Sequence, residues 1–123
     1  MDRAEKAVEY KHNRNNCAQA VLLAFADEVD LTEDQLKKIG AGFGIGMGNM
    51  EATCGALIGA QMLLGLKRFE KAPVIRDARQ LQERFTKECG ASICKDLKGV
   101  ATGTVLCDCD DCVRCAVRLA EAL

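Results

Sequence analysis

Residues 40–66 of the chain read GAGFGIGMGNMEATCGALIGAQMLLGL. The first half carries glycine at every second position from Gly40 to Gly48. Neither a helix nor a strand interior favours this, since each such glycine costs about 0.5–1 kcal/mol relative to alanine. From Glu51 the pattern becomes an apolar run of helical length, which predicts a helix over 51–67 with Cys54 in its first turn. Gly55 and Gly59 lie four apart and share one helix face, where the lack of side chains admits another backbone. The stretch therefore predicts a glycine loop feeding a central helix, with a thiol at its start and a bare face beside it. That face suits a second helix of this chain or, in a homodimer, a second subunit.

At 123 residues the chain fits a single domain, 1–123, which would bury about two-thirds of its unfolded surface and needs no disulfides to fold. Apolar residues make up 49% but aromatics only 4%, so the core must rest on Leu, Ile, Val, Ala and Met. The net charge is −1 and no basic block is present, which argues against nucleic acid as a partner. The first residues, MDRAEKAVEYKHNR, are charged and amphipathic, unlike a secretory signal. Residues 52–66 fall short of the ~20 apolar residues of a membrane span and contain three glycines. These features predict a soluble, cytoplasmic protein. In a reducing compartment its eight cysteines point to metal ligands or redox groups rather than structural staples.

Outside the central stretch the periodicity is helical throughout. Ala4, Ala7 and Val8 mark a short helix over 2–11. Asn15 or Asn16 can cap the next, from Cys17 to about Val29, which is apolar nearly all round and so belongs at the centre. Thr32–Gln35 is a capping box that opens a helix ending at the glycine loop. Pro73 suits a first turn, and Val74, Ala78, Leu81 and Phe85 mark an amphipathic helix stopped by Gly90. Residues 92–97 have length for a turn or two, 99–107 read as a loop, and 109–123 as a final helix with Val113, Ala116, Val117 and Ala120 inward. The expected fold is all-α: one bundle of five to six helices.

The cysteines occupy distinct settings. Cys17 and Cys54 each sit near the start of an apolar helix, where the helix dipole favours a thiolate. Taken singly, each is better explained as a small buried hydrophobe; the pair in one glycine-rich setting shifts the balance towards function. Cys89 and Cys94 flank Gly90; on a continuous helix they would point about 140° apart, but the break can fold them together. The densest run is Cys107-Asp108-Cys109-Asp110-Asp111-Cys112-Val113-Arg114-Cys115. It fits a thiolate site for zinc or an iron–sulfur cluster, a dithiol–disulfide couple, or one or two functional thiols among passengers. The aspartates suit a helix N-terminus but oppose thiol ionisation. The tail lacks the bacterial ferredoxin spacing, and no CxxC is followed by His, which disfavours c-type haem.

Other motifs are weaker. His12, the one histidine, falls on a charged helix end and reads as a solvated surface residue; with no nucleophile–base constellation, hydrolytic catalysis is disfavoured. Met47, Met50 and Met62 could serve as soft ligands but read first as gap fillers. The glycines do not match GxGxxG and follow no strand. Asp108, Asp110 and Asp111 read as a helix cap, since the glycine and glutamate of a calcium loop are missing.

Asn16-Cys17-Ala18-Gln19-Ala20-Val21, then Gly42-Phe43-Gly44-Ile45-Gly46-Met47-Gly48, then Cys54-Gly55-Ala56-Leu57-Ile58-Gly59-Ala60, taken in this order, resemble the C_GCAxxG_C_C family of small prokaryotic redox-active proteins. The resemblance runs from Asn16 to the last helix. It matches Cys17, Cys54, Cys94 and Cys109 to the family cysteines, with Cys112 as a frequent companion; Cys89, Cys107 and Cys115 depart from the pattern. It implies that Cys17, Cys54, Cys94 and Cys109 converge between helices as redox thiols of one centre. That centre is either a set of exchanging disulfides or an iron–sulfur or zinc site ligated by the same four with Cys112. The alternative is a non-catalytic metal- or sulfur-binding module that docks to a larger redox or transport partner.

Overall fold

A computed structural model describes residues 1–70 and 72–123. Seven α-helices lie among them, with no strand longer than a single bridge pair. α1 (Arg3–His12) starts at Asp2, whose carboxylate accepts from the Glu5 amide, and buries Ala4, Ala7 and Val8. α2 (Cys17–Ala24) opens on a capping box in which the Asn16 and Gln19 side chains each accept from the other's backbone amide. It ends sooner than its apolar run suggests, passing at Phe25 into a tight turn over Ala26–Glu28. α3 (Glu33–Gly40) opens on the expected Thr32–Gln35 box.

The glycine loop turns left-handed at Ile45, Gly46, Met47, Gly48 and Met50, an unusual run because three of the five carry side chains. Residues 51–54 stay out of the helix, so α4 (Gly55–Arg68) begins four residues later than expected and Cys54 is its N-cap. The cause is backbone pairing: Thr53 forms an antiparallel bridge with Ile93, with hydrogen bonds from Cys54 N to Ser92 O (2.7 Å) and from Cys94 N to Ala52 O (3.0 Å). α5 (Ile75–Cys89) ends at left-handed Gly90 as expected, though Pro73 lies just before its cap. α6 (Cys94–Lys98) is the short turn after Gly90, and its presence raises the count above six. α7 (Cys109–Glu121) is capped by Asp108, whose carboxylate accepts from the Asp111 amide.

α2 is the central element, packed against α1, α3, α4 and α7. Every residue from Ala20 to Phe25 is buried, as its all-round apolarity requires. Its contact with α4 is the one the glycine face permits: a Cβ at Gly59 would sit 3.0 Å from the Ala18 carbonyl oxygen, and one at Gly55 2.6 Å from the Phe43 carbonyl. The bare face thus closes on this chain's own helix. α7 lies over α1 and α4 with Val113, Ala116, Val117 and Ala120 buried. Salt bridges from Arg114 to Glu5 (2.7 Å) and from Lys11 to Asp110 (2.8 Å) register it against α1. Exposed pairs of this kind stabilise by at most about 1 kcal/mol each, so their role is alignment more than stability.

No polar or charged side chain is buried among the described residues, whereas five cysteines are. Among the described residues, sulfur is therefore the one reactive group that is fully buried. None of the described helices is long and apolar enough to cross a membrane.

The α2–α4 contact has a direct test. Gly59→Val drives branched carbons onto Ala18 and Val21, and overpacking of this sort costs about 1–3 kcal/mol. Chemical denaturation should show that loss; an unchanged midpoint would separate the two helices.

Candidate functional site

Four helix starts meet at one end of the bundle, and each brings a thiol. Cys17 is the first residue of α2, Cys94 of α6 and Cys109 of α7, and Cys54 is the N-cap of α4. The Thr53–Ile93 bridge holds Cys54 and Cys94 beside each other. The glycine loop closes over Cys94 at Gly46, where φ is +54° and a Cβ would fall 2.7 Å from the Cys94 Cβ. Asn16 holds Cys17 in place: besides capping α2, its amide nitrogen donates to the carbonyls of Gly40 (3.1 Å) and Ala41 (3.2 Å).

The remaining cysteines come from two other directions. Cys89 is the last residue of α5. The loop after α6 folds back so that the amides of Leu106 and Cys107 both donate to the Leu97 carbonyl, at 3.0 and 3.3 Å. Cys112 and Cys115 follow Cys109 at helical spacing, so α7 presents three sulfurs along one side.

All eight thiols are free, and close contacts link seven of them. The Cys17 and Cys109 thiols are neighbours, close enough for each to shift the other's ionisation. Cys54 and Cys112 are neighbours in the same way. The sulfurs of Cys89, Cys107 and Cys112 all lie within 4.8 Å of one another. Cys115 contacts Cys89 and donates to Glu88 Oε2 at 3.2 Å. Cys94 stands close enough to Cys54 and Cys109 to feel their charge. Half-buried Lys98 reaches into the group, its Nζ 3.4 Å from the Cys107 carbonyl oxygen and 3.7 Å from Cys112 Sγ.

The electrostatics divide these thiols sharply. The neighbouring Cys17 thiol, assisted by the Lys98 and Lys11 cations, holds Cys109 well below the usual thiol value, at about 5, although burial opposes this. Cys17, beside Cys109 and largely desolvated, is pushed far up. Cys54 rises for the same two reasons with Cys112 as its neighbour, while the Ala56 and Leu57 amides at the start of α4 pull the other way. Cys112 is lowered by Cys54, but its contact with Cys89 and its burial outweigh this and leave it raised. Cys89 is likewise lowered by Cys112, then raised more by Cys115 and by burial. For Cys94 burial dominates, and its pKa also rises. Burial tends to lower Lys98, but the Cys112 and Cys109 charges more than restore it, so it remains an ammonium.

Of the residues singled out in the sequence, Cys17 and Cys109 meet directly, and Cys54 meets Cys112. Cys94 shares the bridge with Cys54. Cys89, Cys107 and Cys115, which depart from the family pattern, belong to the same group of sulfurs. Lys98 was missed. Its signal was its place four residues after Cys94, on the same face of a short helix. His12 is exposed and bonds Asp110 at 2.9 Å, consistent with a surface role, and Met62 packs against the core as a filler.

An all-α fold that gathers free thiols around one lysine defines a thiol-based protein. The sequence model of the C_GCAxxG_C_C family, described as "Putative redox-active protein", matches residues 15–123, and the chain belongs to that family. Neither a curated protein nor a solved structure matches it.

These differences set an order of reactivity. In reduced, metal-free protein Cys109 should be alkylated first by iodoacetamide, with its rate already at a plateau at neutral pH because the thiolate form predominates above a pKa of about 5. Lys98→Met removes a stabilising cation, so the rise in rate should move to higher pH. A profile identical to wild type would mean that the ammonium does not act on Cys109.

Proposed function

We propose that this chain is a dithiol–disulfide redox protein whose working pair is Cys17 and Cys109, with Cys54 and Cys94 completing the same centre. The observation that carries this reading is the direct pairing of the Cys17 and Cys109 sulfurs at the starts of two helices. Both are only partly buried, whereas Cys54, Cys94 and Cys112 are enclosed. A partner disulfide can therefore reach this pair first.

The reaction follows from the asymmetry of the two thiols. The Cys109 thiolate attacks one sulfur of a disulfide on a protein or small-molecule oxidant, forming a mixed disulfide and expelling a thiolate. Cys17 then gives up its proton and attacks the Cys109 sulfur. That closes the Cys17–Cys109 disulfide and releases the second partner thiolate. Two electrons pass to the partner, and one proton, that of Cys17, leaves the chain. In the reverse direction a dithiol partner reduces the bond. The partner in this reading is cytoplasmic and carries a disulfide or dithiol.

A second form of the reading makes Cys17, Cys54, Cys94 and Cys109, with Cys112, the ligands of an iron–sulfur cluster or zinc ion in a binding module without catalysis. It is favoured by the helix starts that deliver the first four, because backbone amides there stabilise sulfur charge.

Oxidation of the reduced protein with glutathione disulfide, followed by peptide mapping, distinguishes the two. The dithiol reading expects a Cys17–Cys109 link, and in Cys17→Ser an accumulated glutathione adduct on Cys109. No such link, together with an unmodified Cys109 in that variant, would overturn it.

A further inference from the structure

Cys89, Cys107 and Cys112 form a second grouping that the Cys17–Cys109 couple does not use. We infer that these three thiols are a binding site for a thiophilic divalent cation of the zinc class, with an exchangeable fourth position. The inference goes beyond the redox reading and does not depend on it.

The geometry comes first. Three sulfurs from three chain segments lie within 4.8 Å of one another: the end of α5, the loop before α7, and the first turn of α7. Zinc–sulfur bonds of about 2.3 Å in tetrahedral geometry put ligand sulfurs about 3.8 Å apart. The three thiols need to contract only slightly around an ion, and rotation about χ1 can supply this. Cys89 and Cys112 are buried and Cys107 half-buried, so the site is enclosed on two sides and approachable on the third. Its ligand type, sulfur alone, selects soft cations over magnesium or calcium.

Charge then decides the valence. Three thiolates carry −3, and Lys98 Nζ, 3.7 Å from Cys112 Sγ, carries +1. A divalent ion offsets more of this charge than a monovalent one, which would leave a larger net charge in a half-buried site. Loading releases the three thiol protons to solvent and changes no oxidation state. Cys115 lies against Cys89 but donates to Glu88 Oε2 at 3.2 Å and falls outside the set of three. The fourth coordination position is therefore left for water or an incoming ligand, the arrangement of zinc sites that exchange ligands rather than merely brace a fold.

The order of segments explains how such a site stays formed without an ion. The Leu97 carbonyl binds the Leu106 and Cys107 amides, and Lys98 Nζ binds the Cys107 carbonyl oxygen, so Cys107 is held by backbone contacts that do not involve its sulfur. Cys112 Sγ also faces the Cys107 carbonyl oxygen at 3.6 Å. The metal would replace only weak thiol hydrogen bonds.

Titration of reduced, full-length protein with Co²⁺ under nitrogen, followed by displacement with Zn²⁺, tests the site. One equivalent of Co²⁺ should give the sulfur-to-cobalt and ligand-field bands of a thiolate-rich tetrahedral centre, and one equivalent of Zn²⁺ should abolish them. Cys107→Ser and Cys89→Ser should each weaken binding by more than about 100-fold, beyond the effect of an outer-shell change. Cys17→Ser and Cys94→Ser should bind as wild type. Circular dichroism of each variant verifies folding, and half-buried Cys107 provides the informative substitution if Cys89→Ser unfolds. Three results would each overturn the assignment: no stoichiometric binding, binding indifferent to Cys107, or binding lost in Cys17→Ser instead. Cys107→Ser should still form the Cys17–Cys109 link with glutathione disulfide, so failure of the metal site and failure of the dithiol couple give different results.

Discussion

The close approach of α2 and α4 is the constraint on which the arrangement depends. With Ala18 carbonyl oxygen 3.0 Å from where a Gly59 Cβ would be, no side chain can stand between the two helices. Their starts are therefore brought to one end of the bundle, and the Cys17 and Cys54 positions with them. Two further devices then complete the convergence. The Thr53–Ile93 bridge attaches Cys94 to the same point, and the ion pairs of Arg114 and Lys11 align α7 so that Cys109 faces Cys17. None of these is strong alone. Burial of the aliphatic core supplies the stability, and the small residues and caps decide which ends meet.

Concentrating thiols in a bundle whose described residues bury no charged side chain creates an electrostatic constraint. Desolvation disfavours each thiolate, and neighbouring thiolates disfavour one another. One ammonium, Lys98, can balance about one negative charge, and that charge settles on Cys109, at a helix start with Cys17 beside it. Cys17, Cys54, Cys89, Cys94 and Cys112 are all pushed up and remain thiols. A divalent ion would bring two positive charges to the three thiols of Cys89, Cys107 and Cys112 and so offset most of the charge of their ionisation. The same lysine thus stands between the two groups, its charge acting on Cys109 and its Nζ 3.7 Å from Cys112 Sγ.

Much of the fold was legible because it rests on local rules. The Thr32–Gln35 box, the Gly90 stop, the all-round apolarity of α2 and the inward stripe of α7 are each fixed by residues within one element. The start of α4 was not, because a long-range pairing with Ile93 holds residues 51–54 out of the helix, and periodicity carries no trace of that partner. Of the candidate site, the placement of some thiols was legible. Cys17, Cys54, Cys94 and Cys109 stood out as thiols at helix starts, and those starts do meet. That Cys54 would face Cys112, and that Cys89 and Cys107 would join them, depended on how α5 and the loop at 99–107 fold back, a tertiary matter. Lys98 lacked any motif of its own; its significance arises only from the sulfurs that surround it.

Cys112 connects the two chemistries. It is fully buried, it neighbours Cys54 on one side, and it belongs with Cys89 and Cys107 on the other. A sulfur bound to a divalent ion cannot also enter a disulfide, so occupation of the three-thiol site removes Cys112 from any exchange with Cys54. The Cys17–Cys109 pair keeps its own sulfurs in either case. On these two proposals α7 would order the functions along its length, with the exchangeable thiolate at its partly exposed first residue and the metal ligand one turn further in. A CxxC spacing within a single helix turn places them next to each other while keeping their partners distinct, since Cys17 comes from α2 and Cys89 from α5.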